Sequence, residues 1–295
     1  MMKKTVISAL LASMLAGGSL FGATEIKSVN EVNKGAIEKG TQNALANQKK
    51  LIKEAISSLK YAHDALVNLE KKDANNATKN IEKALGKLEV ILSAKNAPKM
   101  LPIDSSVTMR EYIGTKDSIE KTVEDVKDLL DNNKIQVARE LLNTLQSEID
   151  ISVVSLPLVT YPDALKLAAK YIHENKLDKA KSVLEIALNT FNTTVEVVPL
   201  PLLKATDLIS VSASLSKNNK KEEALKYLQA AENELDVAQA LGYVSHSDNS
   251  YKMLHKAIKN VRKEIKGKNK AEKLFDELKA ELKDFSAKVF KEEKK

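Results

Sequence analysis

Apolar positions along this chain recur at steps of three and four, the spacing that gathers one face of an α-helix. From about Asn30 to Leu69 the stripe is Leu45, Ile52, Ala55, Leu59, Ala62, Leu66 and Leu69, with Gln48 in the gap. Such near-heptad spacing predicts one helix of roughly 40 residues, about 60 Å at 1.5 Å per residue. Gly35 and Gly40 weaken its first turns. The turn at 71–75 ends it, and a helix over 76–94 carries Ala77, Ile81, Ala84, Leu85, Leu88 and Leu92 on one side. Residues 95–116 hold two prolines and a glycine and read as a connector with a short helix around Val107–Tyr112. Asp117 and Glu120 suggest a capping box for a helix that runs to Leu130. The chain turns at 131–133 and returns as a helix from Ile135 to about Ser152.

Two further hairpins follow, over 163–191 and 202–241, with turns at Asn175-Lys176 and Lys217-Asn218-Asn219. Gly242 reads as a C-terminal stop. After a polar loop, Met253, Leu254, Ala257, Ile258, Val261 and Ile265 line one more helix, which Gly267 breaks. Leu274, Leu278, Leu282, Phe285 and Val289 line the last, a Lys/Glu-rich amphipathic helix that suits packing on the body or pairing with a copy of itself. No convincing strand pattern is visible, so the expected fold is all-α.

The hairpin is written four times. After each Lys/Asn/Asp turn an Ala opens the return helix, with an apolar residue four places on and Ala or Leu three later. The copies are Ala77-Ile81-Ala84, Ala138-Leu142-Leu145, Ala180-Leu184-Ala187 and Ala224-Leu228-Ala231. Ala138, Ala180 and Ala224 lie 42 and 44 residues apart, in the range of helical repeats. These Ala positions suit close helix contacts, so the chain reads as packed hairpins forming a bundle or short solenoid.

Three Leu-Pro steps stand between hairpins, at Leu101-Pro102, Leu156-Pro157 and Leu200-Pro201. Two of them sit in apolar, proline-bearing segments with polar handles nearby. Leu156, Pro157, Thr160, Tyr161, Asp163, Pro199 and Pro201 are therefore the candidate lining of an apolar groove for a small molecule, a peptide or a second subunit. The alternative is that both segments are buried connectors.

Residues 1–23 read as a secretory leader: Lys3 and Lys4, an uncharged apolar stretch from Thr5 to Phe21, and a Gly22-Ala23 exit. The site of cleavage is open, since Phe21 sits where a small residue is preferred; a cut after Gly18 or Ser19, or a retained anchor, are alternatives. Export to the periplasm is the expectation, with no stable membrane span after cleavage. The chain has no cysteine, which removes disulfides, thiol nucleophiles and thiolate metal sites. The formal charge is +7, nearly all from Lys, with Arg only at Arg110, Arg139 and Arg262. Acids and lysines alternate along helix faces, which reads as a solvated surface and not a nucleic-acid footprint.

The sequence carries no convergent catalytic or metal constellation. His63, His173, His246 and His255 form no i,i+4 pair or cluster suited to zinc. Gly35 to Thr41 resembles a phosphate loop but lacks the following Lys and a preceding strand. Carboxylate pairs such as Asp125/Asp128 and Glu222/Glu223 lie among lysines on helix faces. No catalytic residue, metal or cofactor is expected, and the chain is read as a non-enzyme.

The arrangement resembles the YfdX family of exported bacterial proteins. The likeness is strongest over 125–240, where Leu156-Pro-Leu-Val-Thr-Tyr-Pro-Asp-Ala-Leu165 leads to Ala168, Ala169, Leu177, Ala180, Leu184 and Ala187. Leu66 to Leu92 is similar to an earlier hairpin of that family, with Lys72-Asp73 where Gly-Asp is usual. The resemblance implies an all-helical periplasmic protein that self-associates and takes part in acid and drug stress tolerance. It supplies no catalytic residues. The expected organisation is a leader over 1–23, a hairpin domain over 24–245 and a C-terminal extension over 246–295. The expected function is a stress-associated binding protein whose apolar grooves meet a small apolar molecule or a periplasmic client. A tetratricopeptide-like adaptor is the alternative, although the Trp and Tyr of that repeat are missing.

Overall fold

The structure, a computed structural model, describes residues 27–48, 52–245, 249–267 and 271–292. The predicted leader over 1–23 and His246 lie outside them. The described chain is mostly helical, as expected, with one small sheet. Its elements are α1 (Val29–Gln48), α2 (Lys53–Glu70), α3 (Ala74–Leu92), β1 (Met100–Arg110), α4 (Lys116–Asp131), α5 (Ile135–Asn143), β2 (Glu148–Pro157), α6 (Tyr161–His173), α7 (Leu177–Asn189), β3 (Asn192–Pro199), α8 (Leu200–Lys217), α9 (Lys221–Ala240), α10 (Asn249–Lys266) and α11 (Glu272–Glu292).

All four predicted hairpins close through one turn geometry. A single residue takes the left-handed conformation in each: Lys72 (φ 59°), Asn133 (58°), Asn175 (57°) and Asn219 (59°). Its N–H donates to the carbonyl three residues back, and the next N–H reaches five back, as in Asn175 to Ile172 and Lys176 to Tyr171. This Schellman pattern satisfies carbonyls that a helix end leaves open. The repeated Ala then donates to the carbonyl of the new helix's N-cap: Ala77 to Asp73, Ala138 to Lys134, Ala180 to Lys176 and Ala224 to Lys220. The four Ala positions are buried, where a small side chain lets helices approach closely.

Two compact units are present. Among the described residues, one holds those of 48–106 and 151–195; the other holds 27–47, 107–150 and those from Glu196 on. In the first unit α2 pairs with α3 and α6 with α7, while α2 packs on α7 and α3 on α6. Its core joins Ala55, Ala62, Ala77, Ile81, Leu88, Leu156, Tyr161, Leu165 and Leu184. In the second unit α8 and α9 form the central pair, with α10 on α9, α11 on α8, and the α4–α5 hairpin attached through α4 to α9. The C-terminal helices share this core through Leu254, Ile258, Val261, Phe275, Leu278, Leu282 and Phe285.

The sheet has the order β1-β2-β3. Leu158 N–H reaches Lys99 O at one end of the β1–β2 pair, and Arg110 pairs with Asp150 at the other, so these strands run antiparallel. Thr194 reaches Val153, and Leu200 N–H reaches Ser147 O, so β3 is also antiparallel to β2. The division between the units falls within each strand.

These strands correct the expectation that none exists. The helix expected from Ile135 to Ser152 stops at Asn143, and its second half becomes β2. Ile149, Ile151, Val153 and Val154 are β-branched, which suits a pleated surface better than a helix. The short helix expected around Val107–Tyr112 is the end of β1, whose edge position also accommodates Pro102. The single helix expected over 30–69 is two, α1 and α2, which belong to different units. Ile52 is extended (φ −90°, ψ 103°) and donates its N–H to Pro102 O, a bond that an uninterrupted helix excludes. The cap of α4 is Thr115 with Ser118, not Asp117 with Glu120: each side chain accepts from the other's backbone N–H.

Candidate functional site

The predicted groove residues divide between the two units. Leu156 and Tyr161 are buried in the core of the α2–α3 and α6–α7 unit, Pro157 is half-buried, and Thr160 and Asp163 are exposed around the start of α6. Burial pushes the Tyr161 phenol above its usual range; Ser58 opposes this to a lesser degree, approaching without a hydrogen bond of ordinary geometry. Ser58 spends its own hydroxyl proton on Ala84 O, at 2.9 Å. Pro199 and Pro201 belong to the other unit, where both are buried at the start of α8. Pro199 is the extended N-cap and Pro201 lies in the first turn, where no N–H is needed.

One turn further along α8 stands a residue that pattern reasoning passed over. Lys204 is the lone charge in an apolar run and is 6% exposed. Its ammonium lies 2.8 Å from Glu111, just past β1, and 4.0 Å from Glu234 on α9. Asn33 of α1 donates through Nδ2 to Glu234 Oε1 at 3.2 Å. Asn33 Oδ1 is buried with no hydrogen-bond partner. Burial pushes the Glu234 carboxyl up to about 7; Lys204 lowers it, Glu111 raises it and Asn33 lowers it. The available sequence signal was a lysine amid Leu200-Pro-Leu-Leu-Lys-Ala205, which demands buried partners but does not name them.

A second buried carboxylate lies at the start of β2. Tyr243 donates to Glu148 at 2.7 Å and accepts from Ser147 N–H at 2.9 Å. Burial raises the Glu148 carboxyl, the Tyr243 bond lowers it, Asp150 raises it and Arg110 lowers it. On α10, His255 stands 3.6 Å from both Glu232 and Asp236 of α9, while Arg262 pairs with Glu232 and Tyr251 donates to Asp236. Among the described residues, no three His, Asp or Glu side chains converge on a position that could hold a metal ion. These clusters can hold protons and lock helices together; a nucleophile poised beside a base is not part of them.

The outer surface carries its own signal. In three hairpins the repeated apolar stripe is buried, at Ala77-Ile81-Ala84, Ala180-Leu184-Ala187 and Ala224-Leu228-Ala231. In the α4–α5 hairpin Ala138 is buried, but Leu142 is 45% exposed. Leu130, Ile135 and Val137 are 46, 56 and 50% exposed on the same hairpin. The reason is local: α5 has nine residues and leads into β2, so it packs chiefly on α4.

Helical hairpins closed by left-handed caps, with a small antiparallel sheet formed by their connectors, define the class of this protein. Residues 58–197 match the family model described as YfdX protein. Among solved structures, a YfdX of Salmonella Typhi is 15% identical with a TM-score of 0.36, and the match covers 51% of this chain and 93% of that one. No curated protein matches the chain.

Proposed function

We propose that the chain is an exported, periplasmic, stress-associated binding protein without enzymatic activity, and that it works as a homo-oligomer through the α4–α5 hairpin. The observation that carries this reading is the exposure of Leu130, Ile135, Val137 and Leu142 in the described hairpin whose repeat stripe is only partly covered. Apolar clusters on a surface mark contact sites. Export and the stress role rest on the leader-like residues 1–23 and on the family of residues 58–197. The test is native mass spectrometry with light scattering on the purified chain. An oligomer that the pair Ile135→Lys and Leu142→Lys converts to a folded monomer supports the reading. A wild-type monomer at tens of micromolar, indifferent to the pair, sinks it. Co-purifying mass of small-molecule size on the wild type, absent from the pair variant, would assign the same face to an apolar ligand.

A further inference from the structure

The geometry points to a proton-controlled clasp at α1: a proton on Glu234 seats α1 on its own unit, and loss of that proton loosens the seat. The chemistry starts from a charge imbalance. One buried ammonium, Lys204, serves two carboxylates and sits closer to Glu111 (2.8 Å) than to Glu234 (4.0 Å). Ionised Glu234 is therefore the partner left short of positive charge, in a place where solvent does little to help. Asn33 Oδ1 supplies the complementary fault, a buried acceptor without a donor. A proton on Glu234 resolves both. The carboxyl and the amide then pair twice, Nδ2 still donating to Oε1 and the carboxylic O–H donating to Oδ1, and Lys204 is left to Glu111 alone. Without the proton, the amide can only offer Nδ2, as it does at 3.2 Å.

The groups that face Glu234 come from three directions: Lys204 from α8, Glu111 from the segment after β1 and the neutral Asn33 from α1. On α10, His255 and Arg262 are engaged with Glu232 and Asp236, not with Glu234. Burial places the Glu234 carboxyl at about 7, so the proton is exchanged near neutrality. The rest of the α1 seat combines small apolar side chains with polar links, Lys39 beside Asp207 of α8 among them. Val32, Ala36 and Ala44 are buried, Gly40 lies against Leu203 and Ile149, and Tyr227 donates to Lys27 O. The Asn33–Glu234 link is one of the polar holds on α1, and the one that faces a buried carboxyl short of positive charge.

Amide hydrogen exchange on the full chain at pH 5.5 and 8.5, corrected for intrinsic rate, reads the clasp directly. Protection across α1 is expected to fall at least tenfold between the two in the wild type, with a midpoint near 7. Glu234→Gln, neutral at every pH, is expected to keep protection equal at both. Glu111→Gln frees Lys204 for Glu234 and is expected to move the midpoint downward. Equal α1 protection at both pH values in the wild type overturns the clasp. So does a fall that persists in Glu234→Gln, or a midpoint that Glu111→Gln leaves in place.

Discussion

The four residues in the left-handed region that close the described hairpins include no glycine. An L-residue pays roughly 1–2 kcal/mol for that conformation, less for Asn, whose side chain can bond locally. Lys72 has no such help, so Lys72→Gly is expected to raise stability by about 1 kcal/mol, read as a higher denaturant midpoint. The two glycines of α1 separate by the same kind of argument. A Cβ on Gly35 meets nothing within 4 Å, whereas one on Gly40 comes 2.7 Å from Leu203 Cδ1 and 3.1 Å from Ile149 Cδ1. Gly35→Ala is expected to stabilise by about 0.5–1 kcal/mol through chain entropy and helix propensity. Gly40→Leu is expected to destabilise by about 1–3 kcal/mol through overpacking, and thermal melts of the two variants should move in opposite directions. Sequence reading treated both as helix weakeners, because a close approach by residues 149 and 203 is invisible at position 40.

Helices were legible as elements because each writes its own face. The stripe of α2 shows how far that goes. Ala55, Ala62 and Leu69 were correctly placed inside, but Ser58 and Ala65 complete the buried row, while Leu59 and Leu66 are only half-buried. Small residues win the centre because α3 lies close, and Ser58 satisfies its hydroxyl on Ala84 O. At the equivalent place on α7, Ala180→Glu would bury an unpaired carboxylate in the unit core and cost several kcal/mol. An unchanged melting temperature would remove the repeat-packing account. Strands were harder to see than helices. A β-branched run such as Thr193-Thr-Val-Glu-Val-Val198 becomes a strand only by pairing with residues some forty positions away.

At the scale of the whole molecule, protonation adds a term of unusual sign. A carboxyl raised by burial binds more protons folded than unfolded, so its contribution to stability falls as pH rises from its ordinary 4.5 towards about 7, and is flat above. For Glu234 the loss is of order 3 kcal/mol at most. Glu148 and Asp207, both raised chiefly by burial, act in the same direction. Urea melts between pH 5 and 8 should therefore show stability declining with pH in the wild type and less so in Glu234→Gln. A slope that the variant leaves unchanged would place the titration elsewhere.

Periodicity, turn residues and repeat spacing by themselves determined most of the helices, the four hairpin turns and the likeness to the YfdX family, because each is a local pattern carried by neighbouring residues. Tertiary structure alone decided three things. It folded proline-bearing connectors into a sheet, it split an apparently continuous stripe into α1 and α2, and it gathered Asn33, Glu111, Lys204 and Glu234 from four separate places in the chain. The physical reason is common to all three. Strand pairing, the choice of packing partner and the matching of a buried charge are settled between residues far apart in sequence, where no local spacing records them.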